Sequence, residues 1–197
     1  MRKESFDLSS SEYKRFDDGD YVYDLHNEAD RLIIHIRSMH SMIRKAKPIN
    51  ISVPDNLNYY IDLSRCFYKH KHLIDLSELS YFDTSRVVNM TETFSLCNKL
   101  VSLEPLSNWD VSNVWEMSGT FHACWRLTDL KCLSGWKVRD DCILEAFYSN
   151  RGPFLEPVGP IIGLDGLGIR NNRTAIDRYL QAHFPQWLID RHKARGY

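Results

Sequence analysis

The apolar positions of this chain follow a pattern that repeats every 27 residues through its middle. Three copies open on an aromatic residue, at residues 82–85 (Phe-Asp-Thr-Ser), 109–112 (Trp-Asp-Val-Ser) and 136–138 (Trp-Lys-Val), and a worn copy precedes them from Asp55. A fixed period of this length is typical of a solenoid, in which each unit buries its apolar face against the next. The apolar residues at matching offsets are Leu63, Phe67, Leu73, Leu76 and Leu79; Met90, Phe94, Leu100, Leu103 and Leu106; Met117, Phe121, Leu127, Leu130 and Leu133; Leu144 and Tyr148.

Each copy divides into two predicted elements. The Leu-x-x-Leu-x-x-Leu run is short and evenly apolar, which favours a brief strand ended by a turn. Met90 and Phe94 lie four residues apart, as do Met117 and Phe121, and this spacing puts each pair on one helical face. The pattern therefore predicts an α/β fold, a short leucine-rich-repeat-like solenoid of about four 27-residue strand–helix units over residues 55–154.

Helical caps are predicted at both ends, because the terminal units of a solenoid would otherwise expose apolar faces to water. Residues 1–54 form the predicted N-terminal cap, with a strand at 51–53 leading into the repeats. Residues 155–197 form a glycine-rich connector and a C-terminal cap, whose helix covers about 173–191 with an interruption at Pro185. Residues 24–46 carry an apolar stripe at helical spacing: Leu25, Ala29, Leu32, Ile33, Ile36, Met39 and Ile43.

Residues 103–124 resemble the BspA-like leucine-rich repeat, which is widespread in bacterial surface proteins. The shared elements are an aromatic-Asp-x-Ser-x-Val segment, then Met, then Phe-x-x-Cys, then a leucine-rich run. The resemblance is specific over residues 82–138 and extends over about 55–154. Members of that family are usually secreted, many-repeat proteins that act through binding, so the resemblance implies an interaction module without catalysis.

Charge and composition limit the partners that the protein is expected to bind and the compartment in which it is expected to act. The formal net charge is −1, and it divides into 0 over residues 1–54, −4 over 55–150 and +3 over 151–197. This is weaker than the basic field that general nucleic-acid binding requires. The N-terminal residues show no apolar leader, and no run approaches the roughly 20 apolar residues that a membrane span needs. We therefore expect a cytoplasmic protein with no membrane partner.

The sequence offers little for catalysis, a metal or a cofactor, and none of these is predicted. Five cysteines are an odd number, and Cys97 and Cys124 occupy equivalent inward positions, where a small buried thiol fits. Asp83 and Asp110 are expected to accept backbone N–H groups at the bend of each copy. A metal site on Cys66, His70 and His72 and a phosphate-binding loop at 159–168 are the alternatives, and both lack supporting ligands.

The candidate binding residues are two tryptophans at offsets where the related repeats carry small polar residues. Trp115 follows Ile61 and Val88 at one offset, and Trp125 follows Lys71 and Asn98 at the other. These offsets flank the inward positions and are predicted to face outward, and Trp and Arg often carry binding energy. The alternative is that either tryptophan lies under a cap. The predicted partner-binding residues are Trp115, Trp125, Arg126, Lys99, His122 and Glu116.

Two classes of function follow from these observations. The first is a non-catalytic protein–protein interaction module that binds an intracellular protein and inhibits or scaffolds it. A narrower form of this hypothesis is an inhibitor, carried by a phage or mobile element, of a host-defence nuclease complex of the CRISPR type. The alternative is a nucleic-acid-binding accessory protein that uses the basic end of the C-terminal helix, Arg191, Lys193 and Arg195.

Overall fold

A computed structural model describes residues 14–17, 21–28, 31–39, 58–149, 162–163 and 173–196 of the chain. Within these residues there are two small sheets. The first has its strands in chain order: β1 (Lys14–Asp17), β2 (Tyr21–Glu28), β3 (Arg31–Met39), β4 (Tyr59–Asp62) and β5 (Val87–Asn89). The second is parallel and comprises β6 (Phe121–His122), β7 (Tyr148–Ser149) and β8 (Ile162–Gly163).

The described N-terminal residues form three antiparallel strands, β1 to β3, so the helix predicted over residues 24–46 is wrong wherever the structure describes it. β2 pairs antiparallel with β3, and β3 pairs parallel with β4, where Ile34 lies opposite Ile61. Leu32, Ile33, Ile34 and Ile36 are all buried, with Ile34 and Ile36 fully enclosed and His35 between them half-buried. β-branched isoleucines also favour strands over helices. Residues 40–46 and the strand predicted at 51–53 lie outside the described residues.

Successive copies of the repeat lie side by side and are joined by parallel backbone hydrogen bonds. The amide of Met90 donates to the carbonyl of Glu116 at 2.8 Å, and the amide of Met117 donates to Ile143 at 2.8 Å. The amide of Leu63 donates in the same way to Asn89 at 2.9 Å. Isolated parallel bridges at Glu116 continue this pairing from β5 to the last copy. Each copy therefore supplies amide donors to the copy that follows it.

The predicted α/β solenoid of strand–helix units with helical caps is wrong. The described residues hold two small sheets and two α-helices, and neither helix lies in the repeats. Met90 and Phe94 are both buried as predicted, but consecutive turns connect them. Backbone with positive φ recurs 27 residues apart and cannot belong to a right-handed helix; it occurs at Arg65, Glu92, Gly119 and Ala146, and at Lys69, Leu96 and Ala123. The leucine-rich runs are not strands but short 3-10 helices, Ser77–Tyr81, Glu104–Leu106 and Lys131–Gly135.

One apolar core runs through the stacked copies, and aromatic rings line it. The rings of Phe67 and Phe94 stack with their centroids 5.1 Å apart, and those of Phe94 and Phe121 stack at 5.6 Å. The next ring is Phe147, edge-on to Phe121 at 5.3 Å, although the spacing predicts Tyr148. Tyr148 instead donates its hydroxyl to the carbonyl of Leu127 at 2.6 Å. The ring that continues the stack is thus one residue earlier in the last copy, although the backbone still pairs Phe121 with Tyr148, 27 residues on.

Small polar side chains satisfy the buried backbone between copies. The thiol of Cys97 donates to the carbonyl of Phe67, and that of Cys124 donates to Phe94, both at 3.2 Å. The inward positions predicted for these two cysteines are confirmed, and all five cysteines are free thiols. Asp83 and Asp110 each accept the amide of the serine two residues later at 3.0 Å, which confirms their predicted place in turns.

The C-terminal helix predicted over about 173–191 is present as two helices divided at Pro185. They are α1 (Arg173–His183) and α2 (Gln186–Ala194). Both lie against the last full copy, since the amide of Leu130 donates to His183 at 2.7 Å and the Lys131 ammonium donates to Gln181 at 2.9 Å. Among the described residues, no helix combines the length and the apolar character needed to cross a membrane.

Candidate protein-binding surface

The five tryptophans fall into two groups that differ in exposure and hydrogen bonding. Trp109 and Trp136 are buried, and their indole N–H groups donate to the carbonyls of Leu79 and Leu106 at 2.9 Å. Trp187 in α2 makes the equivalent bond to Leu133 at 3.0 Å. These three therefore hold neighbouring copies together. Trp115 and Trp125 are instead 47% and 43% exposed.

Trp115 lies at the beginning of the hydrogen-bonded segment of its copy. Its amide donates to Val88 and its carbonyl accepts the amide of Ile143, both at 2.9 Å. Ile143 is itself 38% exposed, so two large apolar side chains stand on neighbouring copies. The outward orientation predicted for this offset is wrong for Ile61, which is buried because β3 pairs alongside it.

Trp125 lies at the tip of a β-turn that recurs in three copies. The closing amide-to-carbonyl bonds are Leu73 to His70 at 3.2 Å, Leu100 to Cys97 at 3.1 Å and Leu127 to Cys124 at 3.0 Å. The two central residues of each turn are therefore Lys71 and His72, Asn98 and Lys99, and Trp125 and Arg126. Leu73, Leu100 and Leu127 are all buried directly after these turns, which keeps the three tips in register.

We name the exposed residues of these tips the turn-tip patch: Lys71, His72, Lys99, Trp125 and Arg126. A cationic or imidazole side chain occupies the same turn position in all three copies. Of the predicted binding residues, the structure thus brings Lys99, Trp125 and Arg126 together. Trp115 stands apart at the other end of the hydrogen-bonded segment, which runs from Trp115 to His122.

His122 is buried and Glu116 is half-buried, and neither is among the large exposed side chains. His122 is buried, and burial lowers the pKa of its imidazole, while the Glu92 carboxylate acts in the opposite direction. The Glu116 carboxylate accepts the amide of Ser118 at 2.9 Å and so closes a turn. These two predicted site residues lie between Trp115 and Trp125 in the sequence, but they are less exposed than either tryptophan.

The residues considered for a metal site do not come together in the described structure. Cys66 is buried and burial raises the pKa of its thiol, whereas His70 and His72 are exposed. Within the described residues, no three His, Cys, Asp or Glu side chains gather as a metal site. The glycine-rich segment at 159–168 lies outside the described residues except for β8.

The basic end of α2 is partly engaged within the chain. The Arg191 guanidinium donates to the carbonyl of Arg139 at 2.6 Å and to the Asp140 carboxylate at 3.2 Å. Lys193 pairs with Asp177 at 2.9 Å, and Arg195 is exposed. Two of the three cations predicted for nucleic-acid binding thus have intramolecular partners.

Sequence reasoning missed His72 and Ile143 as members of the exposed surface, and it predicted that Lys71 faces outward without naming it as a binding residue. The signal for His72 was available, because His72, Lys99 and Arg126 are spaced 27 residues apart. No comparable signal marks Ile143. It occupies the position of Glu116 and Asn89, and an isoleucine there resembles a core residue until the pairing is known.

Comparison with known proteins gives one match. A protein-family model described as "Mycoplasma protein of unknown function, DUF285" matches residues 37–157, which is more than half of the chain. The matched range contains both exposed tryptophans and the turn-tip patch, and it ends before α1. No curated protein and no solved structure matches this chain.

Proposed function

This chain belongs to that family, whose description states no function, and from that premise we propose a non-catalytic protein-interaction module. Its contact surface includes the exposed tryptophans Trp115 and Trp125. The resemblance of residues 82–138 to BspA-like repeats supports this proposal, because those repeats act through binding. The partner is a protein, and no reaction is assigned to the chain.

The observation that carries the proposal is the contrast among the tryptophans. Trp109, Trp136 and Trp187 are needed to join copies, so their presence is explained by the fold. Trp115 and Trp125 leave much of a large apolar side chain in water, where it contributes little to folding. Exposed tryptophans beside arginine are the residues that most often dominate binding energy in protein interfaces.

An affinity pull-down of the tagged full chain from nuclease-treated bacterial lysate tests this proposal. We expect one stoichiometric protein partner, and we expect the Trp115→Ala/Trp125→Ala variant to bind it at least about 30-fold more weakly, as for hot-spot tryptophans. Tyr81→Ala is the matched control, because Tyr81 is 84% exposed and belongs neither to the tryptophan pair nor to the turn-tip patch. Equal binding by a folded double variant would contradict the proposal.

The nucleic-acid alternative has less support, because Arg191 and Lys193 direct their charge to groups of the same chain. A partner signal that disappears on nuclease treatment would favour it, since phosphate contacts dominate such binding. The narrower hypothesis of an inhibitor of host-defence enzymes stays a prediction, as does the cytoplasmic location.

A further inference from the structure

We propose that the turn-tip patch binds an acidic segment of the partner protein. This inference rests on the proposed interaction function and adds the chemistry of what is recognised. It concerns Lys71, His72, Lys99, Trp125 and Arg126, which form the tips of three stacked turns.

The three turns lie side by side, so the cations of the patch form a row. The turns 70–73, 97–100 and 124–127 have the same closing hydrogen bond. Ladder bonds immediately before them, Lys69 to Ser95 at 2.9 Å and Leu96 to His122 at 2.8 Å, align the three chains. Paired chains lie about 4.8 Å apart, so the three tips span roughly 10 Å. His72, Lys99 and Arg126 therefore lie along one continuous edge of the stacked turns.

The cations of the patch have no acidic partner within the described part of the chain. Elsewhere, arginine and lysine side chains are used internally: Arg65 pairs with Glu92, Arg139 with Asp141, and Lys193 with Asp177. Arg86 lies over the ring of Tyr59 at 4.3 Å. By contrast, no carboxylate lies within 4.0 Å of Lys71, Lys99 or Arg126 in the described residues.

The acids nearest in sequence to the patch are already engaged. Asp75 accepts the amide of Ser77 at 2.9 Å. Asp129 accepts the amide of Lys131 at 2.7 Å and faces the His183 ring at 3.3 Å. Within the described residues, neither carboxylate is therefore directed to the cations of the turn tips.

An acidic protein segment fits this edge better than a nucleic acid. Residues 58–149 contain nine Lys or Arg and twelve Asp or Glu, a net charge of −3, so a long polyanion would be repelled around the patch. Nucleic-acid affinity grows with the number of neutralised phosphates, and a row of three tips offers few. A short acidic segment needs only a few charge-assisted contacts, with Trp125 supplying apolar contact area.

The direct test measures binding of a fluorescently labelled six-residue glutamate peptide to the full chain by fluorescence anisotropy. We expect the Lys71→Gln/Lys99→Gln/Arg126→Gln variant to bind at least tenfold more weakly and with a smaller salt dependence. The control variant Lys137→Gln/Arg178→Gln/Arg195→Gln removes the same charge from exposed sites elsewhere. It should keep the wild-type affinity.

Three results would overturn the proposal. They are equal peptide affinity of the patch variant and the wild type, an equal loss in the control variant, and tighter binding of a six-nucleotide single-stranded DNA through the same residues. The pull-down separates this proposal from the proposed function. If the patch variant captures the partner as well as the wild type while the tryptophan variant does not, the interaction function stands and the acidic-segment proposal fails.

Discussion

The indole N–H of Trp187 donates to the carbonyl of Leu133 at 3.0 Å, and this bond repeats the one from Trp136 to Leu106. Leu79, Leu106 and Leu133 occupy equivalent positions in successive copies. Trp109 and Trp136 each lie 30 residues after the leucine that they contact, whereas Trp187 comes from α2. The C-terminal helix thus ends the row of copies with the same contact that joins them.

Removing this bond should destabilise the whole protein. Trp187→Phe leaves the Leu133 carbonyl without its donor, and we expect a loss of about 1–3 kcal/mol in the free energy of unfolding. Trp115→Phe is the control, because Trp115 is exposed and its replacement should change stability by no more than about 0.5 kcal/mol. Urea denaturation followed by circular dichroism checks both, and equal midpoints for Trp187→Phe and the wild type would contradict the assignment.

A side chain at Gly119 should destabilise the protein, although Arg65, Glu92 and Ala146 adopt positive φ at the equivalent positions of the other copies. Gly119 has φ +63°, and an added Cβ would lie 3.2 Å from the Cγ of Glu92. We expect Gly119→Ala to lower the free energy of unfolding by at least about 1–2 kcal/mol. Gly135→Ala is the matched control, since its added Cβ would have only an ordinary contact at 3.8 Å. There the loss of backbone freedom in the unfolded chain should leave stability unchanged or raise it by up to about 1 kcal/mol.

Cysteine reactivity should follow burial. Burial raises the pKa of the Cys97 thiol to about 12 and that of the half-buried Cys132 to about 11. Both are protonated at neutral pH, and the thiolate is the reactive form. We expect slow labelling by a disulfide reagent at about pH 8, with Cys132 reacting first and Cys97 and Cys124 only after unfolding. Persistence of the fastest phase in Cys132→Ser would refute this order.

Two buried histidines should make the fold sensitive to mild acid. Burial lowers the pKa of His122 and His192, with Lys193 adding to the effect at His192. A lowered folded-state pKa means that the unfolded chain binds protons first, so stability falls as the pH drops below about 6.5. The His122→Asn/His192→Asn variant should lose less stability between about pH 7 and about pH 5. Urea midpoints measured at both pH values test this, and an undiminished loss in the folded variant would rule it out.

The sequence predicted which repeat residues are buried but not the backbone that buries them. Met90 and Phe94 are inside as expected, yet a spacing of four residues suits successive turns as well as a helix. Gly119, between Met117 and Phe121, was the local signal against a helix, because glycine there permits positive φ. Pairing with a distant copy, which outweighs local propensity, is visible only when the copies are placed side by side.

The helix predicted near the N-terminus was wrong for a similar reason. Leu25, Leu32 and Ile36 fit a helical stripe, but β-branched residues and pairing with β4 favour the strand. The prediction that these two offsets face outward is correct for Trp115 and Trp125, because no described residue covers either side chain fully. The same offset failed at Ile61, where β3 lies alongside. In each of these cases, the structure or exposure of the residue depends on which element from elsewhere in the chain lies beside it. The local sequence does not show which element that is.

Most backbone bonds between copies run from an amide in one copy to a carbonyl in the next, while those from Trp115 to Val88 and from Ile143 to Trp115 run in the opposite direction. The same set of bonds joins the second copy to the third and the third to the fourth, so one copy can follow another through the same contacts. Termination comes from outside the array of copies, through β3 at the beginning and Trp187 at the end. Duplication of one 27-residue copy would lengthen the protein without altering either terminus, so its surface can grow by recombination in steps of one turn tip.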